Sequence, residues 1–178
     1  MKKLMTTLIM ALLVSTLSFS VVAEEHALGT IQGTGIDLKS FDHAFAGSID
    51  DFLVWGFLDE ATFTSELIVR KYQQTIKTTF SRGESAIGGT IAYKLEEQDR
   101  SVAISVMGVD GEAQEIKLNI NGEEVAVKIS GEYVDGHFVD PTFTAVMGGR
   151  DISFKAEGEA CYGLSMHYAM MILGALSI

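Results

Sequence analysis

Alternation of apolar and polar residues in the second half of the chain predicts antiparallel β-strands. Three runs, 102–106, 116–120 and 125–129, are apolar at every second position. This period places alternate side chains on one face of a strand. Asp110-Gly111 and Asn121-Gly122 separate the runs, and both dipeptides favour the positive φ angles of tight hairpin turns. The pattern therefore predicts an antiparallel meander.

Glycine-containing dipeptides mark further turns. Asp135-Gly136 and Gly148-Gly149 divide the stretch after the meander in the same way. Near the start, residues 28–38 are rich in Gly and Thr and predict one strand, with a bulge at Gly33 or Gly35. We therefore expect further strands after the meander, separated by these turns, and one strand over residues 28–38.

Residues 48–80 allow either a helix or strands. Ser48 and Asp51 resemble a capping pair before an apolar run, which favours a short helix. Every fourth residue from Ile68 to Phe80 is apolar or aromatic, and these even-numbered positions would share one face of a helix or of a strand. The many β-branched residues in the segment favour strand.

The C-terminal residues 161–178 predict a helix that is apolar on all sides. Leu, Met and Ala dominate this segment and favour helix. A helix without a polar face is buried in protein or in lipid. The segment is shorter than the roughly 20 residues that span a bilayer, and no basic residue follows it. Burial in the core or against a partner is favoured, and membrane association through the helix stays open as an alternative.

The N-terminal residues 1–23 have the pattern of a secretory signal peptide. Two lysines precede a long uncharged stretch, and Val21 and Ala23 occupy the −3 and −1 positions of a cleavage site before Glu24. The sequence therefore predicts export to the periplasm or the medium. It predicts a single mature domain over 24–178, mainly β, in which the meander forms an antiparallel sandwich or small barrel with a buried C-terminal helix.

Charge and cysteine content exclude several partners and sites. The 178 residues include 24 acidic and 13 basic ones, for a net charge of −11. Such a surface repels nucleic acid, so no nucleic-acid partner is expected. The lone Cys161 excludes an internal disulfide and zinc sites with several cysteines. In an oxidising compartment it must be buried, reactive, or joined to another chain by an intermolecular disulfide.

No motif predicts catalysis, a metal or a cofactor. Cys161, Ser165 and His167 are close in sequence, but a helix would direct them to different sides. The four histidines show no metal-binding spacing, although Asp42 lies beside His43. The sequence therefore favours a protein that is not an enzyme. A hydrolase that uses Cys161 or a pair of carboxylates stays as an alternative.

The apolar strand faces suggest a binding function, because a small antiparallel barrel can enclose one apolar ligand. The hypothesis is a non-enzymatic binding protein for an apolar small molecule or for another envelope protein. A structural or assembly protein, or a membrane-associated one, that uses its C-terminal helix is a further alternative. The candidate ligand-binding residues are Trp55, Val102, Ile104, Val125, Val127, Met170 and Met171.

Overall fold

The computed structural model describes residues 28–59, 61–71, 73–83 and 86–178. The predicted signal peptide, 1–23, and its cleavage site lie outside these ranges. None of the helical structure within them has the length and apolar character needed to cross a membrane.

Thirteen strands and one helix follow each other along these residues. In chain order they are β1 (Gly29–Gly33), β2 (Ile36–Phe41), β3 (Ala44–Ile49), β4 (Phe52–Asp59), β5 (Thr64–Lys71), β6 (Gln74–Arg82), β7 (Ile87–Leu95), β8 (Gln98–Asp110), β9 (Glu115–Ile120), β10 (Glu123–Val134), β11 (His137–Met147), β12 (Arg150–Ala156), β13 (Glu159–Cys161) and α1 (Tyr162–Leu176).

The first twelve strands form a closed antiparallel barrel. Each strand pairs with the next one along the chain, and β12 returns to pair with β1 through Ile31 and Ala156. The closed ring gives these strands a neighbour on both sides, which removes the exposed edges of an open sheet. The mainly β fold predicted from the sequence is confirmed, in its barrel form.

The interior of the barrel is apolar and is filled by α1. Along the strands, buried apolar residues alternate with exposed residues, many of them polar or charged. Eleven of the fifteen helical residues are buried, all of them within 165–175. The helix contacts β3, β4, β5, β8, β9 and β11, which lie on different sides of the ring. The predicted burial of the helix is therefore confirmed, and its apolar circumference faces the inner wall.

The helix passes through the barrel from one end to the other. Near its start, the Tyr162 hydroxyl donates a hydrogen bond to the Gly111 carbonyl in the loop between β8 and β9, at 3.2 Å. Beyond its end, Ser177 Oγ lies 3.4 Å from Met147 Sδ, beside the turn between β11 and β12. Gly174 permits close packing, since a Cβ there would lie 2.6 Å from the end of the Ile104 side chain.

In the segments 28–38 and 48–80, two details predicted from the sequence are wrong. Residues 28–38 do not form one bulged strand, because the chain reverses between β1 and β2, with Gly35 at a φ of 75°.

The segment 48–80 forms strands, as favoured, but the apolar positions from Ile68 to Phe80 do not share a face. The chain turns between β5 and β6, so that Phe80 is buried inside while Ile68 lies on the outer wall. No helix begins in the described residues near Asp51, because Phe52 starts β4.

The Asn-Gly turn between β9 and β10 is confirmed. Asn121 and Gly122 have φ angles of 53° and 90°, as a tight hairpin requires. The tight turn predicted at Asp110-Gly111 is wrong, because residues 111–114 separate β8 from β9. There, Asp110 Oδ1 accepts backbone hydrogen bonds from Glu112 and Ala113.

Candidate functional site

At the barrel end where α1 begins, which we call the mouth, the wall opens between β1 and β13. The short strand β13 pairs with β11, through Cys161 with His137 and Glu159 with Val139. On its other side, β1 pairs with β12 as far as Ala156, and the Glu157 N–H donates one further hydrogen bond to the Thr30 carbonyl at 2.8 Å. The chain leaves β1 after Glu157 and turns inward to start the helix.

The departure of β13 is fixed by Asp140 and Gly158. The Asp140 N–H donates to the Gly158 carbonyl, and the Gly158 N–H donates to Asp140 Oδ1, both at 2.8 Å. The hydrogen bond from Gly158 lowers the pKa of the Asp140 carboxyl, and the nearby Lys155 ammonium adds to this effect. Asp140 and Gly158 both have positive φ angles, 48° and 93°. These bonds join the residue before β13 to β11.

A cavity of about 350 Å³ lies in this gap, and we call it the mouth cavity. Its walls come from the turn between β2 and β3, from the segment that joins β12 to α1, and from the first turns of α1. The residues that line it are Leu28, Ser40, Phe41, Asp42, His43, His137, Ala156, Glu157, Gly158, Glu159, Ala160, Cys161, Leu164 and Tyr168.

Tyr168 on α1 lines the inner part of the mouth cavity. Its side chain packs edge-on against Phe45, with ring centroids 5.9 Å apart, and the residue is only 4% exposed. Burial, together with the smaller effects of the nearby Asp42 and Cys161, raises the pKa of Tyr168 to about 12. The phenol therefore stays protonated at neutral pH. Its hydroxyl forms no hydrogen bond with a described residue, and the hydroxyl oxygen keeps solvent-accessible surface beside the mouth cavity.

The charged side chains that line the mouth cavity are acidic. Asp42, Glu157 and Glu159 line it, and among its described lining residues there is no Lys or Arg. Glu157 Oε2 accepts a hydrogen bond from the Thr30 N–H at 3.0 Å, and Asp42 Oδ1 lies 3.1 Å from Nε2 of His43. Nowhere in the described chain do three or more His, Cys, Asp or Glu side chains form a group suited to a metal ion.

Cys161 is partly exposed and lies at the N-terminus of α1. Its Sγ accepts a hydrogen bond from the Leu164 N–H at 3.4 Å. Its cross-strand neighbour is His137, whose Nδ1 lies 3.2 Å from the Asp135 carbonyl oxygen. The sequence associated Cys161 with Ser165 and His167, whereas strand pairing brings it to a histidine 24 residues away.

His167 and Ser165 are buried inside the barrel and lie apart from the mouth cavity. His167 has no exposed surface, and its Nδ1 forms a 2.6 Å hydrogen bond with Ser65 Oγ on β5. Burial lowers the pKa of His167 to about 4, so the imidazole is neutral at neutral pH. A serine hydrogen-bonded to a histidine is a common pair of nucleophile and base. Here Ser65 and His167 are both fully buried, so neither side chain is open to a substrate.

The ligand-binding residues predicted from the sequence lie in two places. Six of them belong to one buried core, in which α1 packs against the inner wall: Val102, Ile104, Val125, Val127, Met170 and Met171. Trp55 lies outside, on the outer wall of β4, where it alternates with buried Val54 and Gly56. Its exposed neighbours along β4 are Leu53 and Phe57. A ligand role for these seven residues stays a prediction.

The sequence did not identify Tyr168 as a site residue, and it considered Asp42 and His137 only as metal ligands. No local motif marks them, since three separate segments meet at the mouth. Comparison with protein-family models, with curated proteins and with solved structures finds no match to this chain.

Proposed function

We propose that this chain is an exported, non-enzymatic binding protein that holds a small molecule in the mouth cavity. The observation that carries the proposal is the mouth cavity, beside which the Tyr168 hydroxyl keeps accessible surface and forms no hydrogen bond with a described residue. A ligand can therefore hydrogen-bond this hydroxyl without displacing a partner within the described part of the chain. The packing of the Tyr168 ring against Phe45 holds the hydroxyl in place.

The mouth cavity suits this role better than the lumen does. The lumen is occupied by α1, whose residues 165–175 are buried against the strands. The mouth cavity instead lies between a closed barrel and the start of a packed helix, so its walls are formed before a ligand arrives. Preformed sites bind with a smaller ordering cost than flexible ones. Its size, about 350 Å³, lies at the lower end of the usual range for small-molecule sites.

Filling the mouth cavity with a larger side chain tests the proposal. Leu164 lines the cavity from α1, so Leu164→Trp occupies part of it. Ala126, exposed on the outer wall of β10, provides the matched control Ala126→Trp. Both variants are first compared with the unsubstituted chain by circular dichroism and by the midpoint of thermal unfolding. Binding of a fragment library is then measured by ligand-observed NMR.

We expect some fragments to bind the unsubstituted chain and Ala126→Trp equally, and to lose at least tenfold in affinity for Leu164→Trp. Tyr168→Phe, which removes only the hydroxyl, should weaken the polar members of this set. If no fragment binds, or if the fragments that bind do not distinguish Leu164→Trp from Ala126→Trp, the proposal is wrong.

A second candidate function is hydrolysis by a thiol nucleophile, and the pairing of Cys161 with His137 favours it. The contact of His137 Nδ1 with the Asp135 carbonyl would leave Nε2 as the base. This function predicts that Cys161 reacts with a thiol reagent in the folded protein. It also predicts an esterase activity that is lost in both Cys161→Ala and His137→Asn. Activity that survives either substitution contradicts it.

We further propose that the protein is exported and that it has a protein partner in the envelope. Export predicts that protein recovered from the producing cell has an intact mass that starts at Glu24. A doubled mass that reductant halves would show Cys161 in an intermolecular disulfide. A partner from the envelope would be expected to cover exposed apolar surface, such as that around Trp55 on β4.

A further inference from the structure

We propose that the ligand of the mouth cavity is a small organic amine, bound as its cation beside Tyr168. This inference rests on the proposed function, because it names the class of molecule that the same cavity takes. It is carried by two independent features of the cavity: the sign of its charges, and the accessible hydroxyl of Tyr168, which forms no hydrogen bond with a described residue.

The charge of the mouth cavity favours a cation. Three carboxylates line it, Asp42, Glu157 and Glu159, without a Lys or Arg among the described lining residues. Asp42 is close enough to Tyr168 for its charge to act on the phenol. The rest of the molecule adds to this potential, since the chain carries a net charge of −11. A cleft lined by one sign of charge concentrates ligands of the opposite sign and repels anions.

The size and donor set favour an organic cation over a metal ion. A cavity of about 350 Å³ has roughly ten times the volume that one water molecule occupies in the liquid. A single ion would not fill it, and the described residues offer no group of three metal-ligating side chains. The apolar part of the lining, which includes Phe41, Leu28 and Leu164, suits the hydrocarbon part of an amine.

The phenol of Tyr168 complements an ammonium group. Its oxygen can accept a hydrogen bond from the N–H of an amine, and aromatic faces attract cations. The carboxylate of Asp42 lies at the outer side of the cavity, where 83% of the side chain is exposed. An amine that enters from solvent would therefore meet the carboxylate first and the hydroxyl of Tyr168 afterwards.

Three probes of similar shape and different charge test the inference: 2-phenylethylamine, 2-phenylethanol and phenylacetate. Their dissociation constants are measured by NMR titration with the full domain at low and at high salt. We expect the amine to bind at least tenfold more tightly than the alcohol, and the carboxylate to bind most weakly. Raising the salt from about 0.05 M to about 0.5 M should weaken the amine and leave the alcohol unchanged.

Substitution of single carboxylates provides the second arm. Asp42→Asn and Glu159→Gln should each lower the affinity for the amine by about two- to fivefold, as expected for exposed charge pairs. Neither should change binding of the alcohol. The matched control is Asp151→Asn, because Asp151 is an exposed acid of β12 that does not line the mouth cavity.

The possible results separate this inference from the proposed function. Equal binding of the amine and the alcohol, or a preference for the carboxylate, overturns the amine and leaves the binding function standing, provided that Leu164→Trp abolishes the binding. Binding of none of the probes at millimolar concentration overturns the inference. If the fragment library also fails to bind, the proposed function is wrong as well. Loss of amine affinity in Asp151→Asn equal to that in Asp42→Asn would show a general charge effect and would overturn the site.

Discussion

The buried His167 should make the stability of the barrel depend on pH. Its imidazole is fully buried, with Ser65 Oγ as the hydrogen-bond partner of Nδ1, and Nε2 has no partner among the described residues. Protonation would place a charge in an apolar interior. The pKa of His167 therefore falls from 6.5 to about 4 in the folded protein. In the unfolded chain the imidazole is in water and binds a proton below about pH 6.5.

The sign and size of the effect follow from these two pKa values. Below about pH 6.5 the unfolded state binds a proton that the folded state does not, so acid favours unfolding. Between the two pKa values, each unit of pH changes the free energy of unfolding by about 1.4 kcal/mol. As the pH falls from 6.5 to about 4, His167 should remove about 3 kcal/mol from the free energy of unfolding. For a domain with a typical stability of about 5–15 kcal/mol, this is a large fraction.

The contribution of His167 is measured by urea unfolding of the unsubstituted domain and of His167→Asn, from about pH 8 to about pH 4. The carboxylates titrate in both proteins, so their contribution cancels in the difference between the two free energies. We expect that difference to shrink by about 3 kcal/mol towards acid pH. His137→Asn is the matched control, because that imidazole is exposed in the folded protein. A difference between the unsubstituted domain and His167→Asn that stays constant across the range would refute the reasoning.

Three further predictions concern the helix and its neighbours. Between about pH 10 and about pH 12 the free energy of unfolding should fall by about 2–3 kcal/mol, because Tyr168 ionises in the unfolded chain while its folded pKa is raised to about 12. Urea unfolding of Tyr168→Phe over the same range should lack this loss. Gly56→Ala should lower the free energy of unfolding by about 1–3 kcal/mol, because the new Cβ would lie 2.3 Å from the Phe45 ring. The control Gly108→Ala should not lower it, because a Cβ there meets nothing within 4 Å. Removal of residues 162–178 should abolish cooperative thermal unfolding, because it empties the barrel.

The strand pattern was open to prediction because it depends on local sequence. The runs 102–106, 116–120 and 125–129 alternate with a period of two, and turn dipeptides separate them. The apolar helix was predictable for the same reason, since a segment without a polar face must be buried. What the pattern did not show is that the burial lies inside the barrel. A barrel and a sandwich both need one apolar face on each strand, so alternation alone does not distinguish them.

The mouth cavity was not predictable, because no local pattern determines which segments meet there. Asp42, His137 and Tyr168 belong to a turn, a strand and a helix that are far apart in sequence. Their approach depends on the closure of β12 onto β1 and on the departure of β13. The boundary between β1 and β2 was missed for a different reason. A single glycine with positive φ suits a bulge as well as a hairpin turn.

The position of α1 inside the barrel has a consequence for the order of folding. Neighbouring strands form hairpins with short connections, so the wall can pair as the chain is synthesised. The helix comes after every strand that surrounds it, and the bond between Ser65 and His167 joins residues 102 positions apart. A partly made chain therefore has a curved sheet whose apolar inner face is exposed to water. Such an intermediate is prone to aggregation, and closure of the ring has to wait until the helix is available.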